Sequence, residues 1–327
     1  MSRMTPGAIA RLREAVEVPD LAGTPYDAVE AIGRGGMGVV FRAHDRELRR
    51  DVALKVLSAR EVSDDARARL LDEARILAQL EHPGIVPVHD VGVLPDGRVF
   101  YTMKLVRGNR LDDYASEVRD LGDLLRVFMR TCEAVAFAHS QGVVHRDLKP
   151  SNVMVGAFGE VLVLDWGVAK LLGREGEPEA TEHVSATTRT AALGGRVDTA
   201  TGDVLGTPGF MAPEQARGDS ARVDRRSDVY ALGSMLRQML ESSRARAMPR
   251  RLRAICTKAT ALDPADRYPD AASLSADVQR FVDGQSVSAY EEPWPERARR
   301  IASKHRVAIT LVVAYLVMRA LIFLLNR

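Results

Sequence analysis

His145-Arg146-Asp147-Leu148-Lys149-Pro150-Ser151-Asn152 is the stretch from which the rest of the chain is read. It follows a long helical segment, DLGDLLRVFMRTCEAVAFAHSQG at 120–142, with Gly142 as the stop signal. It precedes two short strand-like pieces, VMV at 153–155 and EVLVLDW at 160–166. Charged and polar side chains crowded between a helix and a strand suggest chemistry more than a solvated turn. Thirteen residues beyond Asn152 comes Asp165-Trp166-Gly167, where an Asp closes an apolar strand. Asn152 and Asp165 together could offer oxygen ligands to a hard divalent cation.

Upstream, the text from Tyr26 to about Met103 is mostly strand-like. VVFRA (39–43), DVALKVL (51–57), IVPVHDVGV (85–93) and RVFYTMKLV (98–106) are apolar-rich, and Pro95-Asp96-Gly97 supplies a hairpin turn. Gly33-Arg34-Gly35-Gly36-Met37-Gly38 fits G-x-G-x-x-G, but Val39-Val40-Phe41 follows it where a dinucleotide fold needs a helix. The glycines therefore join two strands, a hairpin whose backbone can come close to phosphates because no Cβ intervenes. No G-x-x-x-x-G-K-[ST] sequence is present, which argues against a P-loop. One helix, residues 64–80, interrupts the strands, with Ser63 as cap and Pro83-Gly84 as stop. Leu70, Glu73, Leu77 and Leu80 share one face of it, and a carboxylate on an inward face needs a partner. Lys55, an ammonium in an apolar strand, can supply one.

Downstream of Gly108 the character is helical, with segments near 227–241, 249–262 and 270–284. Residues 171–205, rich in Gly, Ala, Thr and Glu, are expected to form a mobile loop. A small sheet-rich lobe followed by a larger helical lobe is the expected architecture, in the α+β class.

The ordered set resembles a eukaryotic-type (Hanks-type) bacterial Ser/Thr protein kinase: the glycine loop, V-A-L-K at 52–55, Glu73, H-R-D-L-K-x-x-N, D-W-G and Ala212-Pro213-Glu214. The resemblance covers residues 26–284. It implies a two-lobed fold, with a small antiparallel sheet plus one helix over 26–106 and a larger, mainly helical lobe over 107–284. It implies ATP and Mg²⁺, with Lys55 on the α/β-phosphates and paired to Glu73. Asp147 would orient and deprotonate a protein Ser or Thr hydroxyl, Lys149 would lie near the γ-phosphate, and Asn152 and Asp165 would hold the metal. Gly33, Gly35, Gly36, Gly38, Val40, Ala53, Met103, Lys104 and Val106 would line the nucleotide, Met103 as gatekeeper and 104–106 as hinge. Glu214 would pair with Arg267, and Asp228 would anchor the central helix. Arg146 would read a phosphorylated hydroxyl of the 165–214 segment, expected among Ser185, Thr187, Thr188, Thr190, Thr199, Thr201 and Thr207, with possible self-association for that autophosphorylation.

Trp166 departs from the family's usual Phe, a position that bears on how easily the site closes; tolerance of the larger indole is expected because the metal-binding Asp165 is unaffected. Lys104 replaces a more common acid. Only 38 residues separate Asp228 from Arg267, fewer than the family uses, which bears on substrate docking. These departures leave a pseudokinase scaffold as the alternative. A small-molecule kinase of related fold is disfavoured by Thr207-Pro208-Gly209-Phe210-Met211-Ala212-Pro213-Glu214.

The chain has 327 residues, 46 Lys+Arg against 44 Asp+Glu, and a formal net charge of +2, which gives no reason to invoke nucleic acid. Cys132 and Cys256 stand far apart, so a disulfide framework and a Cys-based zinc site are not expected. The first 25 residues read as a lead-in without a secretory core. Residues 285–306 read as a basic juxtamembrane linker, and VAITLVVAYLVMRALIFLL at 307–325 as a transmembrane helix. At about 1.5 Å per residue the latter reaches roughly 28 Å, near the thickness of a bilayer core. Arg319 would cost about 2.5–3.5 kcal/mol at mid-membrane and would have to snorkel or find a partner. Arg297, Arg299, Arg300, Lys304 and Arg306 upstream, against Arg327 downstream, put the catalytic part in the cytoplasm. The expectation is a single-pass tail anchor.

Overall fold

The computed structural model describes residues 18–35, 38–57, 71, 74–75, 77–166, 170–171, 209–219, 222–243, 248–295, 297 and 306–325. The N-terminal half opens with a five-stranded antiparallel sheet: β1 (Tyr26–Gly35), β2 (Gly38–Asp45), β3 (Arg50–Leu57), β4 (Val88–Val93) and β5 (Val99–Lys104), in the order β1-β2-β3-β5-β4. Alternating burial along β2 puts Phe41 and Ala43 into a core shared with Val52, Leu54, Val56, Leu94 and Phe100. The sheet curls enough for Tyr26, at its β1 edge, to donate to Asp90 on β4 at 3.0 Å. Gly35 and Gly38 face each other across the β1–β2 hairpin. A Cβ on Gly38 would lie 2.1 Å from the Val56 carbonyl oxygen, so this position tolerates no side chain.

The strand-like run at 85–93 divides in two. Val88–Val93 joins the sheet, but Ile85 and Val86 bridge to Val163, with Val163 donating to the Gly84 carbonyl at 2.8 Å. Pro87 between them has no amide hydrogen to continue a ladder. The run 98–106 likewise leaves the sheet after Lys104.

The second lobe packs α1 (Leu111–Glu117), α2 (Leu121–Ser140), α3 (Pro213–Ala216), α4 (Arg225–Ser242), α5 (Arg250–Ala259) and α6 (Ala271–Val282). Asp120, Asp224 and Asp270 cap α2, α4 and α6 through their side chains. Along α2, Leu124, Phe128, Cys132, Val135 and Ala138 repeat at helical spacing and are fully buried against α4 and α6. Five short strands complete the lobe. β6 (Gly108–Arg110), β8 (Val153–Gly156) and β9 (Val161–Val163) form one small sheet, and β7 (Val143–Val144) pairs with β10 (Lys170–Leu171). The sequence reading did not anticipate α1. The expected loop at 171–205 lies outside the described residues except for Leu171; of the expected helix at 64–80, residues 71, 74, 75, 77 and 78 are described and helical, while 79 and 80 have already left the helix.

A last helix, α7, runs over Arg306–Leu325, where the sequence suggests a membrane span. Among the described residues, no helix is long and apolar enough to cross a membrane.

Candidate nucleotide and phosphoryl-transfer site

Lys55 sits in the middle of β3, and its register puts it opposite Val40 on β2 and Tyr101 on β5. It is 4% exposed, its ammonium contacts the Asp165 carboxylate, and it lies 5.9 Å from the Tyr101 ring centre. Burial alone would push the ammonium pKa down, but the Tyr101 hydroxyl and the Asp165 carboxylate outweigh it and hold the group above its ordinary value. The strand therefore presents a fixed positive charge at a carboxylate 110 residues away. The expected partner Glu73 lies outside the described residues, as does Gly36. Gly33, Gly35 and Gly38 flank the hairpin turn, and Ala53 pairs with Met103 across β3–β5. Met103 and Val106 are half-buried and Lys104 is exposed, its amide donating to the Pro87 carbonyl at 3.2 Å. A separate cavity of about 450 Å³ opens beside Lys104, lined by Leu77, Leu80, His82, Pro87 and Val88 and by none of the glycine loop, Lys55, Asp147 or Asp165.

The loop 145–152 is built around a buried carboxylate. Asp228, near the start of α4 and 1% exposed, accepts from the His145 and Arg146 amides at 2.8 Å each and meets His139 Nε2 at 2.9 Å. Burial works against its charge, yet the His139 hydrogen bond and neighbouring positive groups hold its pKa below the ordinary carboxylate range. With both amides fixed, Arg146 takes a left-handed conformation (φ 69°), uncommon for a residue with a Cβ. The turn that results carries Asp147, whose carboxylate accepts from Lys149 Nζ at 2.7 Å and Asn152 Nδ2 at 3.3 Å. Asn152 also donates to the Asp147 carbonyl at 2.8 Å, which commits its amide nitrogen to this loop.

Asp165 is delivered to the same place by the backbone. The Leu164 amide donates to the Asn152 carbonyl at 2.8 Å, and β8–β9 pairing sets Val153 against Val163. Asp165 then turns into left-handed space (φ 61°), a second strained residue beside the first. Asn152 and Asp165 thus become neighbours across thirteen residues of sequence. One carboxylate and one amide are oxygen donors that suit a hard cation such as Mg²⁺ better than a soft metal. Among the described residues, no group of three His, Cys, Asp or Glu side chains clusters as a metal site.

Trp166 is buried at 3% exposure, its indole N–H donates to the Val163 carbonyl at 3.2 Å, and its ring lies 4.6 Å from that of His145. His145 in turn contacts the Leu164 carbonyl at 3.0 Å. The indole therefore ties the segment beside Asp165 to strand β9, which a Phe ring could not do. Trp166→Phe is expected to cost about 1 kcal/mol and to lower Tm by ~2–4 °C. Thermal melting of the two proteins checks it.

Beyond this centre, Glu214 and Arg267 form a two-pronged buried pair at 2.8 and 2.9 Å, as the sequence resemblance implies, with Ser227 donating to Glu214 at 2.7 Å. Gln215 Nε2 donates to the Arg146 carbonyl at 2.8 Å, linking α3 to the Asp147 turn. All candidate phosphorylation sites from Ser185 to Thr207 lie outside the described residues. Sequence reasoning missed His139, which looks like one more polar residue on α2. It also missed Asp277 on α6. That fully buried carboxylate accepts from Tyr268 at 2.8 Å, from the Ser288 amide and hydroxyl at 2.6 and 3.0 Å, and from the Ala289 amide at 3.1 Å. Val287 is buried beside it, so the first residues of the supposed linker pack on the lobe.

Comparison with known proteins agrees with this geometry. A family model described as the protein kinase domain matches residues 26–286. The chain is 33% identical over 303 residues to the serine/threonine-protein kinase PknD of Protochlamydia amoebophila, covering 80% of this chain and 30% of that protein. It is 36% identical over 304 residues to the PknD of Chlamydia trachomatis, covering 79% and 32%. The chain thus spans about a third of the length of these curated relatives. Among solved structures, the kinase domain of Mycobacterium tuberculosis PknI superposes with a TM-score of 0.57 at 25% identity, over 79% of this chain and 96% of that one.

Proposed function

The chain belongs to the protein kinase domain family, and from that premise we propose that it transfers the terminal phosphoryl group of ATP to Ser and Thr hydroxyls of proteins. The observation that carries this reading is the convergence of Lys55, of Asp147, Lys149 and Asn152, and of Asp165, from three separate segments, on one cleft. Phosphoryl transfer needs mostly positioning and charge neutralisation, and this set supplies both. Lys55 holds the α/β-phosphates, its charge kept by Tyr101 and Asp165 against the cost of burial. Asp147 accepts the proton of the incoming hydroxyl, and Lys149 lies ready for charge on the transferred group. Asn152 and Asp165 are the residues that would hold Mg²⁺, which supplies charge neutralisation between the phosphates when bound. Glu73, by family resemblance, pairs with Lys55. The glycines at 33, 35, 36 and 38, with Val40, Ala53, Met103, Lys104 and Val106, enclose the nucleotide. The names of the relatives and the Lys149 position within H-R-D-L-K support Ser and Thr over Tyr as acceptors.

Label from γ-³²P-ATP with Mg²⁺ is expected on protein, and Lys55→Met is expected to lower incorporation by at least about a hundredfold. Nucleotide binding with no incorporation by the unaltered protein would favour the scaffold reading.

The finer reading of α7 is a single membrane span with the catalytic lobes on the cytoplasmic side. Its support is the apolar run at 307–325, in which Arg319 is the one charged residue, the basic residues before it, and the exposure of Leu311, Leu316 and Leu321 on the helix. Deletion of 307–327 is expected to move the protein from the membrane pellet to the supernatant on fractionation. An intact chain already in the supernatant would refute the span.

A further inference from the structure

Strand β5 sends its side chains to two faces in alternation. Phe100 enters the apolar core of the sheet, with Leu54 and Val56 of β3. Tyr101 and Met103 project to the other face, where Lys55 and Ala53 stand directly opposite them on β3. That is the face on which Ala53 and Met103 are read as lining the nucleotide, and Tyr101 lies one cross-strand pair further along. It is 5% exposed, yet among the described residues it belongs to neither apolar core cluster. A phenol buried in this way carries a hydroxyl that calls for a polar partner. The Lys55 ammonium supplies one. It is itself buried, lies 5.9 Å from the ring centre, and donates a hydrogen bond to the hydroxyl.

We propose that Tyr101 is a positioning residue for phosphoryl transfer, its hydroxyl aiming the Lys55 ammonium at the α/β-phosphates of ATP. The inference rests on the kinase reading and adds to it a residue that none of the motifs carrying that reading contains. An ammonium has three N–H donors at the end of a flexible stem, so its charge alone does not fix where it points. Asp165 restrains it from the loop after β9, 110 residues away, and Tyr101 restrains it from the neighbouring strand. The two acceptors differ in kind. A carboxylate neutralises the ammonium, whereas a neutral phenol fixes its direction and leaves the whole charge for phosphate oxygens. β5 is paired to β3 without a break from Val52–Lys104 to Val56–Phe100, so hydroxyl and lysine share one rigid frame.

The test compares the full chain with Tyr101→Phe, which keeps the ring and removes only the hydroxyl. Binding of ATP and of adenosine is titrated for both proteins, and KM for ATP and kcat are measured on a Ser/Thr peptide. Because Lys55 is assigned to the phosphates, ATP binding is expected to weaken, and KM for ATP to rise, by about three- to tenfold, the worth of one hydrogen bond. Adenosine binding should be unchanged, and Tm should fall by no more than ~2–4 °C. An interaction made equally in the ground state and the transition state shows in KM, so kcat should stay within about twofold. In a Lys55→Met background, adding Tyr101→Phe should change ATP binding by less than about twofold, since the hydroxyl acts through the lysine. Equal weakening of ATP and adenosine, unchanged ATP binding, or the same loss in the Lys55→Met background would overturn the assignment. An unaltered protein that binds no ATP would overturn the kinase reading and this assignment together. If ATP binds and no phosphoryl transfer is detected, only the kinase reading fails, and the two titrations still decide for or against Tyr101.

Discussion

Asp147→Asn is expected to lower phosphoryl transfer by about 10²–10⁴-fold while leaving ATP binding and Tm nearly unchanged. The substitution keeps the shape of the side chain and removes the carboxylate that takes the hydroxyl proton. It leaves the turn itself intact, because that turn is held by backbone amides on Asp228 and by the Asn152 bond to the Asp147 carbonyl. The nucleotide side of the cleft, Lys55 with Asp165, does not touch Asp147 in any hydrogen bond described. The loss should therefore fall on kcat. Steady-state phosphorylation of a Ser/Thr peptide, nucleotide titration and thermal melting on one preparation separate the cases. Loss of activity accompanied by an equal loss of ATP binding or of Tm would mean that Asp147 is structural.

What the sequence makes legible here is local chemistry. Asp147, Lys149 and Asn152 lie within six residues, so their meeting is a property of one turn. The Lys55 strand is readable because V-A-L-K-V-L sets one cation within a continuous apolar run. The partners of these residues are another matter. Glu214 and Arg267 are 53 positions apart, and nothing in either neighbourhood announces the pair; family resemblance supplies it. His139 and Asp228 are separated by 89 positions, and each sits in a helix where a polar residue normally faces water. Asp277 reads as an ordinary helix-surface acid for the same reason, yet it is fully buried. Its burial depends on Ser288 and Ala289 folding back after Gly284, a reversal that a Gly stop signal marks but does not aim. The division of the 85–93 run is similar. The apolar pattern marks it as strand-like, while the bridge from Ile85 to Val163 is a tertiary choice.

Asp228→Asn is expected to destabilise the protein by about 3–5 kcal/mol, although it is nearly isosteric. One carboxylate oxygen accepts from the Arg146 amide, and the other accepts from the His145 amide and meets His139. An asparagine has only one such oxygen, so its NH₂ would face a backbone N–H in a site that is 1% exposed to water. A buried donor against a donor loses the hydrogen bond and leaves the amide desolvated. For a domain of this size the Tm should fall by roughly 6–20 °C. Activity should fall with it even below the new Tm, because the left-handed turn at Arg146 that carries Asp147 depends on those two amides. The pH dependence gives an independent reading. In the folded state Asp228 has its pKa held below the ordinary range, so its contribution is fully present above that range and is lost as pH falls through the lowered value. Urea unfolding from neutral to acid pH should therefore show a steeper loss of stability for the unaltered protein than for Asp228→Asn, with the two curves converging at the acid end. Parallel curves, or an unchanged midpoint in the variant, would show that the carboxylate does not hold the catalytic turn.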